Sequence, residues 1–428
     1  MRRHRLPPAR VPGLVALHLI AVALPTGQAL GRPAPVAGGT GAEVRVTWRD
    51  IRALVDRHPR VAEAAQRSRA ARAAIDAAGA VPNPELTARA AYGRARDAAV
   101  SRTEWALELA VPLGWIARRG PKIHAARAEA GVVEAESAGL RRQVLLRLRT
   151  HFWNLVHAQE RVAALTELDA QTAALASVVK QRVEKGESRP VEAVRATVVA
   201  EQIAGELALA RATLEARRAQ LGLWLGLRPA RRLVATADLA ALPSPLPAAR
   251  AVQRVQAGHP GVVAARARVD ALEAGVRLER RARLPSVSIQ AFTDHELDRA
   301  AYGAGLVVEL PLWSWNSGRI RRAEAELAAG RQRLAADRLE LELSVVEARA
   351  SCKGRVELAR RYRDQILPQA TTAARTIERT YELGEAPLLE VIDARRTLLE
   401  TKSQLLTALR QAQLACSRLA ILAGEDLP

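Results

Sequence analysis

The chain has 428 residues, is dominated by Ala, Leu and Arg, has only 3% aromatic residues and carries a formal charge of +20. This composition favours long helices and the length of two or three ordinary domains. The charge invites a nucleic-acid reading, but the arginines alternate with glutamates in runs such as RRAEAELAAGRQRLAADRLELEL. No aromatics are interleaved with them, so the pattern is that of solvated helix faces and excludes nucleic acid as the expected partner.

Residues 1–31 read as a signal peptide. Arg2, Arg3, Arg5 and Arg10 precede the apolar run Val11–Leu24, and Ala29 to Gly31 offers small residues for cleavage. The run is shorter than the about 20 residues of a stable membrane-spanning helix. A mature start near Arg32 is expected, followed by an N-terminal segment, 32–47. No later stretch of about 18 apolar residues is evident, so no transmembrane helix is expected.

A first structural unit occupies 48–226. A helix from Trp48 to about Ala80 carries the stripe Leu54, Val61, Ala64, Ala71 and Ile75, and Pro82 and Pro84 end it. The period then changes to two across a hairpin, 84–112. Leu86, Ala88, Ala90 and Tyr92 alternate with Glu85, Thr87 and Arg89. After the polar loop Arg94–Arg102, Trp105, Leu107, Leu109 and Val111 alternate with Glu104, Ala106 and Glu108. A long helix of about 65 residues, close to 100 Å, runs from near Lys122 to a glycine turn at 184–190. A shorter helix returns to Leu225-Gly226.

A connector, 227–249, contains the proline-rich run Leu242 to Pro247 (LPSPLP). A second unit, 250–425, then repeats the first. It has a helix over 250–283 and a hairpin over 285–312, with Val287, Ile289 and Ala291 against Ser286, Ser288 and Gln290. Tyr302, Ala304, Leu306, Val308 and Leu310 follow against Gly303, Gly305 and Glu309. A long helix starts near Arg319, with a bend expected at Pro368, and reaches a turn at 382–387. The last helix shows adjacent apolar pairs at a heptad beat, Val391/Ile392, Leu398/Leu399 and Leu405/Leu406, which imposes supercoiling on its neighbours.

The repeat is visible in detail. His58-Pro59 matches His259-Pro260, Pro84 matches Pro285, Lys122-Ile123 matches Arg319-Ile320, and Gly186 to Ala196 aligns with Gly384 to Ala394, always about 200 residues apart. That is far beyond solenoid periods of about 20–50 residues, so the chain is two half-chains with one plan. No strands beyond the two hairpins are expected.

The strands have the about 9–11 residue length of tilted membrane strands, apolar on one face and polar on the other. Trp115, Trp313 and Trp315 lie just past their ends, where membrane barrels carry aromatic girdles. An amphipathic sheet packed on its own helices is the soluble alternative. Four strands are fewer than the about eight needed for closure, and an open sheet in lipid leaves unpaired backbone edges. Strands in a membrane therefore require an oligomer: a dimer gives eight strands, a trimer twelve.

Catalytic motifs are missing from the sequence: there is no GxSxG, no P-loop, no GxGxxG after a strand, and no His or Cys spacing typical of a metal site. Glu104 and Glu108 read as charge on the polar strand face, not as an acid/base couple. Cys352 and Cys416 sit in helical pattern and read as buried thiols, with a disulfide left open in an oxidising compartment.

At Leu383 to Glu400 (LGEAPLLEVIDARRTLLE) and at the proline-bounded strand pairs, the sequence resembles the outer membrane efflux proteins of the TolC family, the exit ducts of bacterial export pumps. The resemblance spans roughly 48–425. It implies a mainly α fold with a small β part: two tandem repeats whose long coiled-coil hairpins form an α-barrel, and four transmembrane strands per chain in a shared β-barrel. It implies a homotrimer in the outer membrane, extending into the periplasm and contacting outer membrane lipid. Its partners are then a periplasmic adaptor and an inner membrane pump of the RND type. No cofactor, metal site or enzymatic activity is implied, and without a nearby cysteine the amino-terminal lipid anchor of some relatives is not expected. The cargo reading is small molecules or metal ions; a type I protein secretion duct and a soluble periplasmic coiled-coil scaffold are the alternatives.

The same resemblance marks functional positions. Glu390 and Asp393, with Glu192 from the first copy, are expected at a periplasmic gate. Gly186, Glu187, Gly384 and Glu385 are expected at adaptor-contacting tips; Leu107, Leu109, Leu306 and Val308 on a lipid-facing strand surface; and Trp115, Trp313 and Trp315 at the membrane interface. The arginine that relatives often carry to latch the closed state is Ala386 here, which leaves Arg189 or Arg195 as substitutes.

Overall fold

The computed structural model describes residues 43–94, 101–227, 232–244, 247–296, 299–310, 312–313 and 315–424. The signal peptide, most of segment 32–47 and the centre of the 94–102 loop lie outside the described residues. The elements in chain order are β1 (Glu43–Val46), α1 (Trp48–Leu54), a 3-10 turn (Val55–Arg57), α2 (Pro59–Gly79), β2 (Glu85–Arg94), β3 (Ser101–Pro112), α3 (Trp115–Glu184) and α4 (Pro190–Trp224). The second half contributes β4 (Arg232–Ala235), α5 (Ala248–Gly258), α6 (Pro260–Arg281), β5 (Ser286–His295), β6 (Ala300–Glu309), α7 (Ser317–Arg361), a π-helical turn (Tyr362–Ile366), α8 (Leu367–Glu382) and α9 (Leu388–Ala423).

The helices entering each hairpin are not continuous, as their stripes suggested. In both halves the break falls on the His-Pro pair. His58 Nδ1 accepts from the Arg60 N–H at 3.3 Å and His259 Nδ1 from the Gly261 N–H at 3.1 Å, while Pro59 and Pro260 fill the first helical position. A side-chain cap followed by proline starts a helix, so the pair punctuates the stripe. The first long helix also begins earlier than expected, at Trp115, and runs through Pro121. By length and composition α3 holds an 18-residue window apolar enough to cross a membrane. That window is 17% buried within the protein, whereas Val144, Leu148, Phe152, Leu155 and Val156 of the same helix are core.

The bend expected at Pro368 is resolved as a π turn immediately before it, Tyr362–Ile366. Proline donates no N–H to the carbonyl four residues back and crowds it. Widening the preceding turn keeps the helix going into α8 with the coil unbroken.

The two hairpins form one antiparallel sheet in the order β2-β3-β5-β6, with β3 paired to β5 from Trp105↔His295 to Pro112↔Ser288. The outer strands β2 and β6 have no further partner among the described residues. A second, unexpected sheet corrects the two-hairpin reading: β1 and β4 pair in parallel, Val44 opposite Leu233 and Val46 opposite Ala235. Each is four residues long and the two flank the first half, β1 before it and β4 in the connector after it, so neither a run of alternation nor a turn signal announces them.

The main core sits where this small sheet, α1 and α5 wrap the middle of α3 and the far half of α9. Ile51, Leu148, Phe152, Leu155, Leu233 and Leu419 are fully buried there, each contributing about 1.5–3 kcal/mol by removal from water. Cys352 of α7 and Cys416 of α9 lie in this core as a disulfide, not as the free thiols expected. Helix packing brings their Cα atoms to 4.7 Å, within bridging range. Away from the core the helices pair as coils, tied by ion pairs such as Arg72–Glu134 at 2.6 Å (α2 to α3) and Arg280–Glu324 at 2.7 Å (α6 to α7).

Candidate functional site

Two places carry the expected functional residues: the four-stranded sheet, and the ends of the helical hairpins.

In the sheet, registry decides which side chains share a face, because directly opposed residues point the same way. Leu107 pairs with Ala88 and Thr293, Leu109 with Leu86 and Ala291, Leu306 with Ile289, and Val308 with Val287. All four leucine and valine positions therefore lie on one face, together with Tyr92, Trp105 and Tyr302. This face is uncovered: Leu86, Leu107, Leu109, Ile289 and Leu306 are exposed, and Tyr302 is 91% accessible. The opposite face is polar and concave, where Thr87, Arg89, Glu108, Gln290 and Asp294 line a shallow cavity with Phe292. Gly303 lies opposite Phe292, and a Cβ there would meet the ring at 2.7 Å, so this glycine makes room for the one aromatic on the polar side.

The tryptophans sit below the sheet. Trp313 (93% accessible) and Trp315 are exposed, and the Trp315 carbonyl accepts from Arg283 Nε at 3.1 Å. Trp115, half-buried, opens α3 with the Arg119 guanidinium 6.0 Å from its ring centroid.

At the other end, both tips are built alike. Gly186 and Gly384 each take φ of +80°. The Glu187 N–H donates to the Arg182 carbonyl at 2.8 Å and the Gly186 N–H to Val183 at 3.0 Å; Glu385 to Thr380 (3.0 Å) and Gly384 to Tyr381 (2.9 Å) repeat the pattern. This is the Schellman closure, and its left-handed residue favours glycine. Gly186, Glu187, Gly384 and Glu385 are all exposed. The two tips pack on one another through Val179, Ala196 and Leu388.

The structure does not gather the three proposed gate acids into one cluster within the protomer. Glu390 is exposed in the first turn of α9. Asp393 lines a cavity of about 460 Å³ between α3, α4 and α9, with Thr172, Glu206 and Arg396. Glu192, half-buried on α4, stays with Arg189 of its own turn at 3.9 Å.

Sequence reasoning missed the residues that join the two hairpins. Arg395 of α9 donates from Nε to Glu378 Oε1 of α8 at 2.6 Å and from Nη1 to the Gln171 carbonyl of α3 at 3.0 Å. Arg182 of α3 stacks over the Tyr381 ring at 5.3 Å, and Lys402 of α9 reaches Glu167 of α3 at 3.5 Å. Arg189 stays with Glu192 of its own turn, and the contacts between the two hairpins run through Arg395, Arg182 and Lys402. The available signal was an acid and an arginine flanking Gly384 in one helical hairpin.

Comparison with known proteins fits this geometry. The model of the outer membrane efflux protein family matches residues 51–227 and 251–425. The chain is 29% identical over 350 residues to the cobalt-zinc-cadmium resistance protein CzcC of Cupriavidus metallidurans, covering 81% of this chain and 82% of that one. It is 30% identical over 276 residues to the pyoverdine export outer membrane protein OpmQ of Pseudomonas putida, covering 61% and 56%. Among solved structures, CusC, described for conformational changes accompanying folding and transmembrane channel formation, superposes with a TM-score of 0.74 at 18% identity over 93% of this chain and 99% of that one.

Proposed function

The chain belongs to the outer membrane efflux protein family, whose members are channels, and from that premise we propose how this exit duct works. Three copies close the sheet into a twelve-stranded barrel, β6 of one pairing with β2 of the next. The helices of the three copies continue it as a tube across the periplasm. The duct conducts passively; a pump of the RND type in the inner membrane supplies energy through a periplasmic adaptor that meets the tips at Gly186, Glu187, Gly384 and Glu385. The observation that carries this reading is the four-stranded sheet, apolar and uncovered on one face, polar and concave on the other, with both edge strands unpaired among the described residues. Backbone edges in lipid cost several kcal/mol per unsatisfied group, about what makes closure by further copies obligatory.

For the cargo we propose divalent metal cations, supported by the match to the cobalt-zinc-cadmium resistance protein along most of both chains. Deleting the gene is expected to lower tolerance to cobalt, zinc and cadmium, with restoration by the intact gene. Unchanged metal tolerance, together with accumulation of an organic export product in the periplasm, would reassign the cargo.

Glu390 and Asp393 are proposed to set the cation preference of the periplasmic mouth. Acids at a helix start are favoured locally, and three copies would focus a negative potential on the axis. The expected result of Glu390→Ala with Asp393→Ala is weaker block by divalent cations and lower cation selectivity in planar bilayers, with assembly intact. Wild-type selectivity and block in the double variant would reduce both acids to helix caps.

Arg395 is proposed as the latch that keeps the second hairpin against the first. Its charge-assisted bonds are of the kind worth about 1.5–3 kcal/mol each, so Arg395→Ala is expected to shift the closed-to-open ratio about tenfold or more. Single-channel conductance reads this directly. Conductance unchanged from wild type would place the latch elsewhere, and Arg395→Lys, which cannot keep both bonds, is expected to fall in between.

A further inference from the structure

Halfway along α3, well away from the tips, a cavity of about 200 Å³ opens between α3, α4 and α9. Its polar lining is Asn154, His157 and Arg161 from α3, Thr213 and Arg217 from α4, and Arg410 from α9. Three guanidinium groups from three helices meet there, and no carboxylate is among the lining residues. Elsewhere between helices several arginines are answered by acids: Arg268 by Glu136, Arg331 by Glu273, Arg280 by Glu324. The large groove among α2, α3, α6, α7 and α9 likewise sets Glu136, Asp337 and Glu340 beside its arginines.

The arrangement leaves donors unused. Arg410 Nη1 donates to Asn154 Oδ1 at 2.9 Å, but its Nε is buried without a partner. Arg217 spends one N–H on Gln220 Oε1 at 2.8 Å, and among the described residues Arg161 and Arg217 have no acidic partner. The cations also act on each other. Burial, and after it the charges of Arg410, Arg161 and Arg217, push the His157 imidazole down to about 4. Burial and then the charge of Arg217 lower Arg410. Like charges brought together in a partly desolvated space are unfavourable unless a counter-charge enters, and guanidinium forks match the geometry of oxyanions.

We propose that this cavity is a binding site for a small free oxyanion of the phosphate or sulfate type, held by Arg161, Arg217 and Arg410 with the Asn154 amide. Occupancy would draw α4 and α9 onto α3 and so brace the middle of the helical wall. The inference does not depend on the cargo or gating readings.

The test uses the full-length mature oligomer in detergent, titrated calorimetrically with inorganic phosphate in a chloride buffer. The expected result is saturable binding of one phosphate per chain, with heat dissociation of the oligomer moving to higher temperature as phosphate rises. Arg410→Gln and Arg217→Gln should each weaken binding about tenfold or more. Arg161, which is exposed, provides a third variant, Arg161→Gln, that leaves the packing untouched. Absence of saturable phosphate binding in the wild type would overturn the proposal. So would binding undiminished in the folded variants, which would assign the phosphate to the basic surface at large.

Discussion

Leu107→Arg is expected to remove assembled protein from the outer membrane. Leu107 lies near the middle of β3, cross-paired to Ala88 on one side and Thr293 on the other, within the uncovered apolar face of the sheet. A charged side chain at the midplane of a membrane barrel costs about 2–4 kcal/mol, and a closed trimer would incur it three times. The neighbouring Glu108 provides the control, since one residue along a strand reverses the face. It lines the polar concavity with Thr87 and Phe292, so Glu108→Leu should leave assembly close to wild type. The measurement is the amount of oligomer recovered from outer membrane fractions. Normal assembly of Leu107→Arg with failure of Glu108→Leu would mean that the sheet faces lipid with the other side.

Leu306 makes the same point on a different strand. It pairs with Ile289, which in turn shares its face with Val111 of β3, so one charge at Leu306 tests whether the second hairpin lies at the same depth. Loss of assembly at Leu107 but not at Leu306 would place β6 nearer the membrane boundary.

The two hairpins and the two glycine turns are legible in the sequence for physical reasons. Period-two alternation over ten residues has no helical explanation, and a glycine just past a long helical run marks the left-handed closure seen at Gly186 and Gly384. What the sequence hides is what depends on distant partners. β1 and β4 are four residues each and pair across the whole of the first half, so their only signal is Val44 and Val46 in one and Leu233, Val234 and Ala235 in the other. Cys352 and Cys416 each look like core positions of a helix, and only the packing of α7 on α9 turns two core positions into one bond. The His-Pro breaks were visible as repeated pairs, but the weak apolar stripe ran across them and masked the cap. At the tips, the acids stand out as charges at a helix start. The contacts that tie hairpin to hairpin do not, because Arg395 reaches a backbone carbonyl, which every residue offers and no pattern singles out.

The second large effect is expected from the disulfide. Cys352 and Cys416 close a loop of 64 residues in sequence, which in the chain-entropy account restrains the unfolded state by about 4 kcal/mol. That loop contains the end of α7, the π turn, α8, the second tip and most of α9, so the bond anchors the whole second hairpin to the core at its base. Cys352→Ala with Cys416→Ala is therefore expected to lower the temperature at which the oligomer dissociates and to speed its loss in urea. Both cysteines are buried, and alanine leaves no polar group behind, so lost packing adds to the effect. The comparison is made as rates at fixed temperature, which stays valid where dissociation is irreversible. The single variants separate the causes. If the bond is the source, Cys352→Ala alone should be as labile as the double variant, and wild-type protein prepared from cells unable to form disulfides should match both. If the oxidised and reduced wild types dissociate at the same rate while the alanine variants are weak, packing of the two side chains carries the stability and the cross-link adds nothing.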